Sequence, residues 1–377
     1  MKILITSVVD LKKSQHNRPH QFVKYLSRNH DITVLSINDW WKGKQADLIS
    51  YSSVFDDIFD RIDYNYLTER KISPILQELF FTKEIKRLTN NNFDLHLNYN
   101  SLINGYRVSK DLNTVFDIAD DLPEMIMHSP QIPNFLRYPG KILGNYYLRK
   151  NIKRAKYISL TTETLNKSYN IPERKMEIIP NGVDTKVFKK IKDAKEEIGS
   201  TAFIVGYVGV LREWIDFKPV FNALKMLDKE IKLLIVGKEG KFKENMQLAQ
   251  KLGVSDRVIF TGMIPYDMVP KYISAMDICL IPFKQNSIAN NALPIKLFEY
   301  MACEKPVIST NISPVKSLVG DDIFYAANSK EYANKIDLLY QNKDLRTKKG
   351  KIGRKIAEKY DWEEITFKLE KLLIKAA

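Results

Sequence analysis

Two doubly wound α/β domains in tandem are the fold this sequence predicts, on three observations. Short β-branched runs alternate with amphipathic stretches along the whole chain. The length of 377 residues exceeds what one hydrophobic core ordinarily holds. A charged, strand-poor connector interrupts the alternation near its middle.

The strand candidates of the first half are KILITSVV, DITVLSI, DLHLNY, TVFDIA, YISLTT and EIIP. Those of the second half are FIVGYVG, IKLLIVG, VIFTG, ICLIPF, PVIST and IFYAA. Between them PHQFVKYLSRN, FKPVFNALKML and KENMQLAQKL have the spacing of helices with one apolar face. This order makes parallel sheets covered on both faces, twice over. The break falls in PNGVDTKVFKKIKDAKEEIGS and sets the domains at residues 1–184 and 185–360. The tail IGRKIAEKYDWEEITFKLEKLLIKAA reads as two helices separated at Asp361. Residues 40–90, rich in aromatics and Asp, yield no clear element. Sheets of this class bind ligands outside their strand carboxyl ends, and two in tandem are expected to face each other across a cleft.

The composition is that of a globular chain, with 44% hydrophobic and 28% charged residues. The formal net charge is +14. Residues 1–190 hold 29 Lys/Arg against 21 Asp/Glu, and the remainder holds 30 (59 − 29) against 24 (45 − 21). The excess is spread over both halves, which favours small anionic ligands or an anionic membrane surface over a nucleic-acid groove. The two cysteines, Cys279 and Cys303, sit in apolar segments and read as buried thiols of a reducing compartment. MKILITSVVD reads as a first strand rather than a signal peptide. No run approaches about 18 uninterrupted apolar residues. A cytoplasmic protein, or one at the inner face of a membrane, is the expectation.

The stretch NNALPIKLFEYMACEKPVIST carries the clearest chemistry. Pro294 marks the first helical position, and Glu299 follows in a helix whose other faces are apolar. A helix opening after a loop offers unpaired N–H groups and a positive dipole end to a phosphate. Glu299 lies about 7.5 Å further along the axis, at ~1.5 Å per residue. That is close to the span from a diphosphate to the adjoining ribose, whose two syn hydroxyls can both donate to one carboxylate. Lys296, near the helix start, can meet phosphate oxygens. The plainer alternative is an exposed Glu299 pairing with Lys296 one turn away.

PIKLFEYMACEKPVIST resembles the signature of the family-4 glycosyltransferases. IIPNGVDTKVF is similar to that family's domain crossover, GYVGVLREWIDF to the first strand and loop of its donor domain, and VIFTGMIPYDMVPKYISAMDICLIPF to its base-binding segment. KYDWEEI resembles the start of a closing helix, 361–377, that rejoins the first domain. The match covers residues 175–377 well, with NRPHQFVKYLSRNHDITVLS and VFDIADDL as weaker support.

The resemblance implies the GT-B fold and a retaining, metal-independent sugar transfer from a nucleotide-diphosphate sugar to a glycan or polyprenyl-linked acceptor. It implies no cofactor and no nucleic-acid partner. Glu299 matches the ribose-binding second Glu of the family's Glu–seven residues–Glu motif, whereas the first falls on Asn291. The candidate donor-site residues are Gly209, Arg212, Asn291, Leu293, Lys296 and Glu299, of which Arg212 lies two residues beyond the family's Arg position and otherwise reads as a solvated surface residue. The family's diphosphate-binding Arg and Lys fall on Val210 and Ile215, so Arg212 and Lys296 are the cations left to neutralise the leaving group. Asp120 matches the position of a His near the donor's anomeric carbon, and with Glu299 it forms the candidate catalytic pair.

A metal-binding reading of Asp117, Asp120 and Asp121 competes with this, as does simple helix capping. FLRYPGKILGNYYLRKNIKRAKY interleaves aromatic and basic residues at helical spacing. It suggests peripheral membrane contact through residues 141–156, or an amphipathic helix with a solvated basic face. The five histidines show no ligand spacing, and no Gly-x-Gly-x-x-Gly turn follows the first strand. Two alternatives stay open: a nucleotide-sugar epimerase on the same architecture, and a partner subunit that binds nucleotide sugar without turning it over.

Overall fold

The computed structural model describes residues 1–14, 16–40, 56–81, 83–89, 92–129 and 132–377. They form two compact units, Met1–Pro180 with Trp362–Ala377, and Asn181–Asp361.

The first unit holds a parallel sheet of seven strands: β1 (Lys2–Ser7), β2 (Asp31–Ser36), β3 (Asp63–Tyr66), β4 (Leu95–Tyr99), β5 (Thr114–Ile118), β6 (Tyr157–Leu160) and β7 (Met176–Ile178). Their order is β3-β2-β1-β4-β5-β6-β7, so the winding reverses between β1 and β4. All of the first unit's strands match a predicted run except β3. Its sequence DYNY has no β-branched residue, and long-range bonds hold it instead. Tyr64 Oη and Tyr66 Oη donate to Asp10 Oδ1 at 3.3 and 3.1 Å. Of the region that yielded no element, residues 41–55, 82 and 90 lie outside the described residues.

The helix Trp362–Ala376 completes this unit by packing against the helix Arg18–Leu26. Trp362 meets Phe22 edge-on at 6.1 Å, and Trp362, Ile365, Leu369 and Leu373 are fully buried. Burial of each such side chain stabilises the unit by about 1.5–3 kcal/mol.

The second unit holds a parallel sheet of six strands: β8 (Phe203–Val208), β9 (Ile231–Val236), β10 (Val258–Gly262), β11 (Ile278–Ile281), β12 (Val307–Ser309) and β13 (Phe324–Tyr325). The order β10-β9-β8-β11-β12-β13 reverses between β8 and β11. Both cysteines are buried and free. The helix Ile295–Ala302 follows β11 at this reversal, with Pro294 as its N-cap rather than its first residue. Extended backbone at Pro294 (ψ 128°) keeps it outside the helix by one position. The helix Lys343–Ala357 backs it closely: a Cβ on Gly350 would lie 2.1 Å from the Glu304 carbonyl oxygen. Among the described residues no helix is long and apolar enough to cross a membrane.

Candidate functional site

The second unit's candidate site is built at the carboxyl ends of β8 and β9. Val208 leads into Gly209, whose φ of +132° is open to glycine at little cost. Its N–H donates to the Val236 carbonyl at 2.9 Å. Gly237 (φ +136°) presses against it, because a Cβ there would lie 2.3 Å from Gly209 O. The two glycines bring the strand-end backbones close together and leave the space above Gly209 to Lys296. A Cβ on Gly209 would lie 2.8 Å from Lys296 Nζ.

Two tyrosines that the sequence analysis did not single out tie the helix to β8. Tyr207 is fully buried and donates from Oη to Val210 O at 2.9 Å. The same oxygen accepts from Lys296 Nζ at 3.1 Å, and the ammonium stands 4.6 Å above the Tyr207 ring. Tyr300 Oη accepts from Val208 N at 2.8 Å. In the sequence both tyrosines look like ordinary core residues, and only the fold shows their hydroxyls at the strand ends.

Glu299 is buried, 9% exposed, on this helix. Its carboxylate makes no hydrogen bond or ion pair with the described residues, which removes the exposed Lys296 pairing considered above. Burial pushes its pKa up to about 7, and the charge of Lys296 opposes the rise. A carboxylate held so, without internal donors, calls for donors from outside the protein. Hydroxyl groups are the natural match.

The other predicted donor residues are less closely gathered. Leu293 is buried, and its carbonyl accepts from Asn181 Nδ2 at 2.7 Å, which fixes the loop entering the helix. Asn291 ends the short helix Ser287–Asn291 and is half-buried. Arg212 lies on the loop after Gly209, exposed, with no side-chain hydrogen bond or ion pair to the described residues. That loop is braced at its far end, where Asp216 N donates to Pro282 O and Lys284 N to Trp214 O. Ile215 is buried in the unit's apolar core and has no charge to offer a diphosphate.

In the first unit, Asp117 is occupied. Arg18 grips it with two hydrogen bonds, Nε to Oδ2 at 2.9 Å and Nη2 to Oδ1 at 2.8 Å, and Ser159 Oγ donates to it as well. Arg18 Nη1 also donates to Pro180 O at 2.8 Å. Asp121 caps the helix Leu122–His128 through Glu124 N at 3.1 Å. These engagements tie Asp117 and Asp121 into the fold, and among the described residues no group of three or more His, Cys, Asp or Glu is placed to hold a metal ion. Asp120 remains, half-buried after the end of β5, with no side-chain hydrogen bond to the described residues. Burial raises its pKa to about 6; Arg18 opposes this, while Asp117 and Asp121 add to it.

The basic-aromatic segment forms the helix Asn134–Arg154. Phe135, Tyr138, Ile142 and Tyr146 are exposed, and their spacing puts them on one face.

The family profile described as glycosyl transferases group 1 matches residues 188–356. A Bacillus subtilis protein named as the teichuronic acid biosynthesis glycosyltransferase TuaH is 26% identical over 227 residues, 56% of this chain and 55% of that one. This chain thus spans about half the length of that curated relative. The archaeal glycosyltransferase MJ1178 of Methanocaldococcus jannaschii is 23% identical over 72% of this chain and 79% of its own. Among solved structures, sucrose-phosphate synthase of Thermosynechococcus elongatus superposes with a TM-score of 0.81 at 16% identity, covering 99% and 98% of the two chains. Anabaena HepE, solved with UDP-glucose, superposes at 0.76 with 18% identity and full coverage of both chains. At such identities these structures establish the GT-B fold.

Proposed function

We propose that this chain, whose residues 188–356 match the glycosyl transferases group 1 profile, moves a sugar from a nucleotide-diphosphate sugar to a glycan or lipid-linked acceptor, with retention of configuration. The observation that carries the proposal is the buried, internally unpartnered Glu299 one helical turn beyond Lys296, whose ammonium stands over Gly209. Glu299 accepts from the ribose hydroxyls, Lys296 meets the diphosphate, and the helix N–H groups add their dipole. HepE, solved with UDP-glucose, supports a nucleotide sugar as the donor class.

In the reaction the bond between the anomeric carbon and the diphosphate oxygen breaks, and the acceptor hydroxyl bonds to that carbon as its proton passes to the departing diphosphate oxygen. The departing diphosphate gathers negative charge, which Lys296 and Arg212 neutralise without a metal ion. The test is calorimetry against a panel of nucleotide sugars, followed by assays of transfer and donor hydrolysis. Saturable binding with turnover supports the reading. Binding without turnover would favour a non-catalytic partner subunit, a reading that the loss of the cationic pair to Val210 and the buried Ile215 keeps in play.

We assign Asp120 the charge that favours a cationic sugar in the transition state. With a pKa of about 6, it gains charge as pH rises, so turnover should climb through that range. Asp120→Asn should remove this limb and lower turnover far more than donor affinity, the signature of an interaction made mainly in the transition state. Equal losses in both would make it a binding or folding residue.

For a lipid-linked acceptor we propose peripheral membrane contact through the exposed face of Asn134–Arg154, at the inner face of the membrane. Aromatic and aliphatic side chains at the lipid boundary, backed by the basic residues of 141–156, suit an anionic bilayer. Flotation with anionic vesicles should weaken with salt and drop at least several-fold in Tyr138→Ser/Ile142→Ser. Flotation indifferent to both changes would refute the contact.

A further inference from the structure

The first unit carries a cavity of about 600 Å³ that the proposed reaction does not use. It opens at the amino-terminal end of β5, where Thr114 lies in its wall. Asp120 follows the opposite end of that strand, roughly 15–20 Å away at ~3.3 Å per residue. Its lining brings together Lys110, Lys150, Lys153, Arg154 and Lys156 against one carboxylate, Asp111.

None of the five cations is held in an ion pair with the described residues. Arg154 has a structural task, donating from Nε to Ser109 O at 2.5 Å and from Nη2 to Lys110 O at 2.7 Å. Lys156 Nζ donates to Ala376 O at 2.8 Å. Lys110 and Lys150 stand over the rings of Tyr106 and Tyr146, 5.2 and 5.3 Å from their centroids, and Lys153 is exposed. Cations in the last turn of a helix complement its dipole, which accounts for one or two charges here. It does not account for Lys110, which enters the same cavity from another element.

Like charges around one concavity repel each other, and its low-dielectric walls focus their field on whatever anion enters. A carboxylate would neutralise one of these cations, whereas a phosphate or diphosphate meets several at once. We propose that this cavity is a second anion site, separate from the candidate donor site, for a phosphate-bearing group. Soluble diphosphate and the headgroup of an anionic phospholipid share that chemistry. The proposal does not depend on sugar transfer.

The test uses the full chain and two probes, titration with pyrophosphate and sedimentation with phosphatidylglycerol vesicles against phosphatidylcholine vesicles. We expect at least one probe to bind, with affinity falling as salt rises. Lys150→Ala/Lys153→Ala and Lys110→Ala should each weaken that binding at least tenfold, with thermal melting as the control for folding. Lys296→Ala, which removes the cation of the candidate donor site in the other unit, serves as the background for these measurements, so that only the cavity is read. Pyrophosphate binding identifies a soluble oligoanion, whereas vesicle binding without it, lost in Lys110→Ala but kept in Tyr138→Ser/Ile142→Ser, identifies a lipid headgroup. In that background, binding that survives the cavity variants, or no binding of either probe, overturns the proposal.

Discussion

Replacing Lys296 with alanine should lower turnover a hundredfold or more while the fold stays intact. Among the described residues its ammonium lies directly against the Gly209 turn, held there by Tyr207 Oη at 3.1 Å. Loss of one strong electrostatic donor from such a site raises the barrier by about 2.7–4 kcal/mol. Nucleoside diphosphate affinity should fall with it, and nucleoside monophosphate affinity should fall less. Arg212→Ala is expected to act in the same direction, because the exposed Arg212 is the second cation near that turn. The measurement is steady-state turnover alongside calorimetry with both nucleotides. If Lys296→Ala changes neither rate nor diphosphate affinity, the leaving group is held elsewhere and the non-catalytic reading gains.

Glu299→Gln should weaken donor binding and strengthen the fold together. Loss of charged hydrogen bonds to the ribose is expected to reduce donor affinity by about 1.5–3 kcal/mol, and Glu299→Ala by at least as much. The effect on stability runs the other way. The folded state keeps the Glu299 proton up to a pH of about 7, whereas an unfolded chain releases it near the ordinary 4.5. Stability from this group is therefore fully present below 4.5 and is lost as pH rises through 7. At about 1.4 kcal/mol per pH unit, the penalty above that range is roughly 3 kcal/mol. The glutamine variant should match the parent's melting temperature at acid pH and exceed it at pH ~8. Donor binding near neutral pH should also release a proton, because hydroxyl donors favour the ionised carboxylate. Unchanged donor affinity, or a variant less stable at pH ~8, would remove Glu299 from the site.

The architecture was legible wherever apolar, β-branched runs carried it, as in β1, β5 and β9. It was illegible at β3, where two tyrosines reach a distant buried aspartate and no local pattern marks the strand. The site divides in the same way. Glu299 could be read because a carboxylate amid apolar neighbours on a helix is conspicuous in one dimension. Tyr207 could not, since its hydroxyl acquires a role only when β8 meets a helix some ninety residues later. Asp117 illustrates the converse: its charge looked available in sequence, and Arg18, also distant in the chain, claims it. Patterns of a single element survive in the sequence, and pairings between elements do not.

The last helix has a bearing on how the protein is made. Trp362–Ala376 completes the core of the first unit, yet it leaves the ribosome only after the whole second unit has been synthesised. The nascent first unit must therefore wait with the surface meant for Trp362, Ile365 and Leu369 uncovered, a state that invites aggregation or chaperone capture. The second unit, continuous from Asn181 to Asp361, has no such delay. Folding should thus finish in the reverse of the order in which the chain begins.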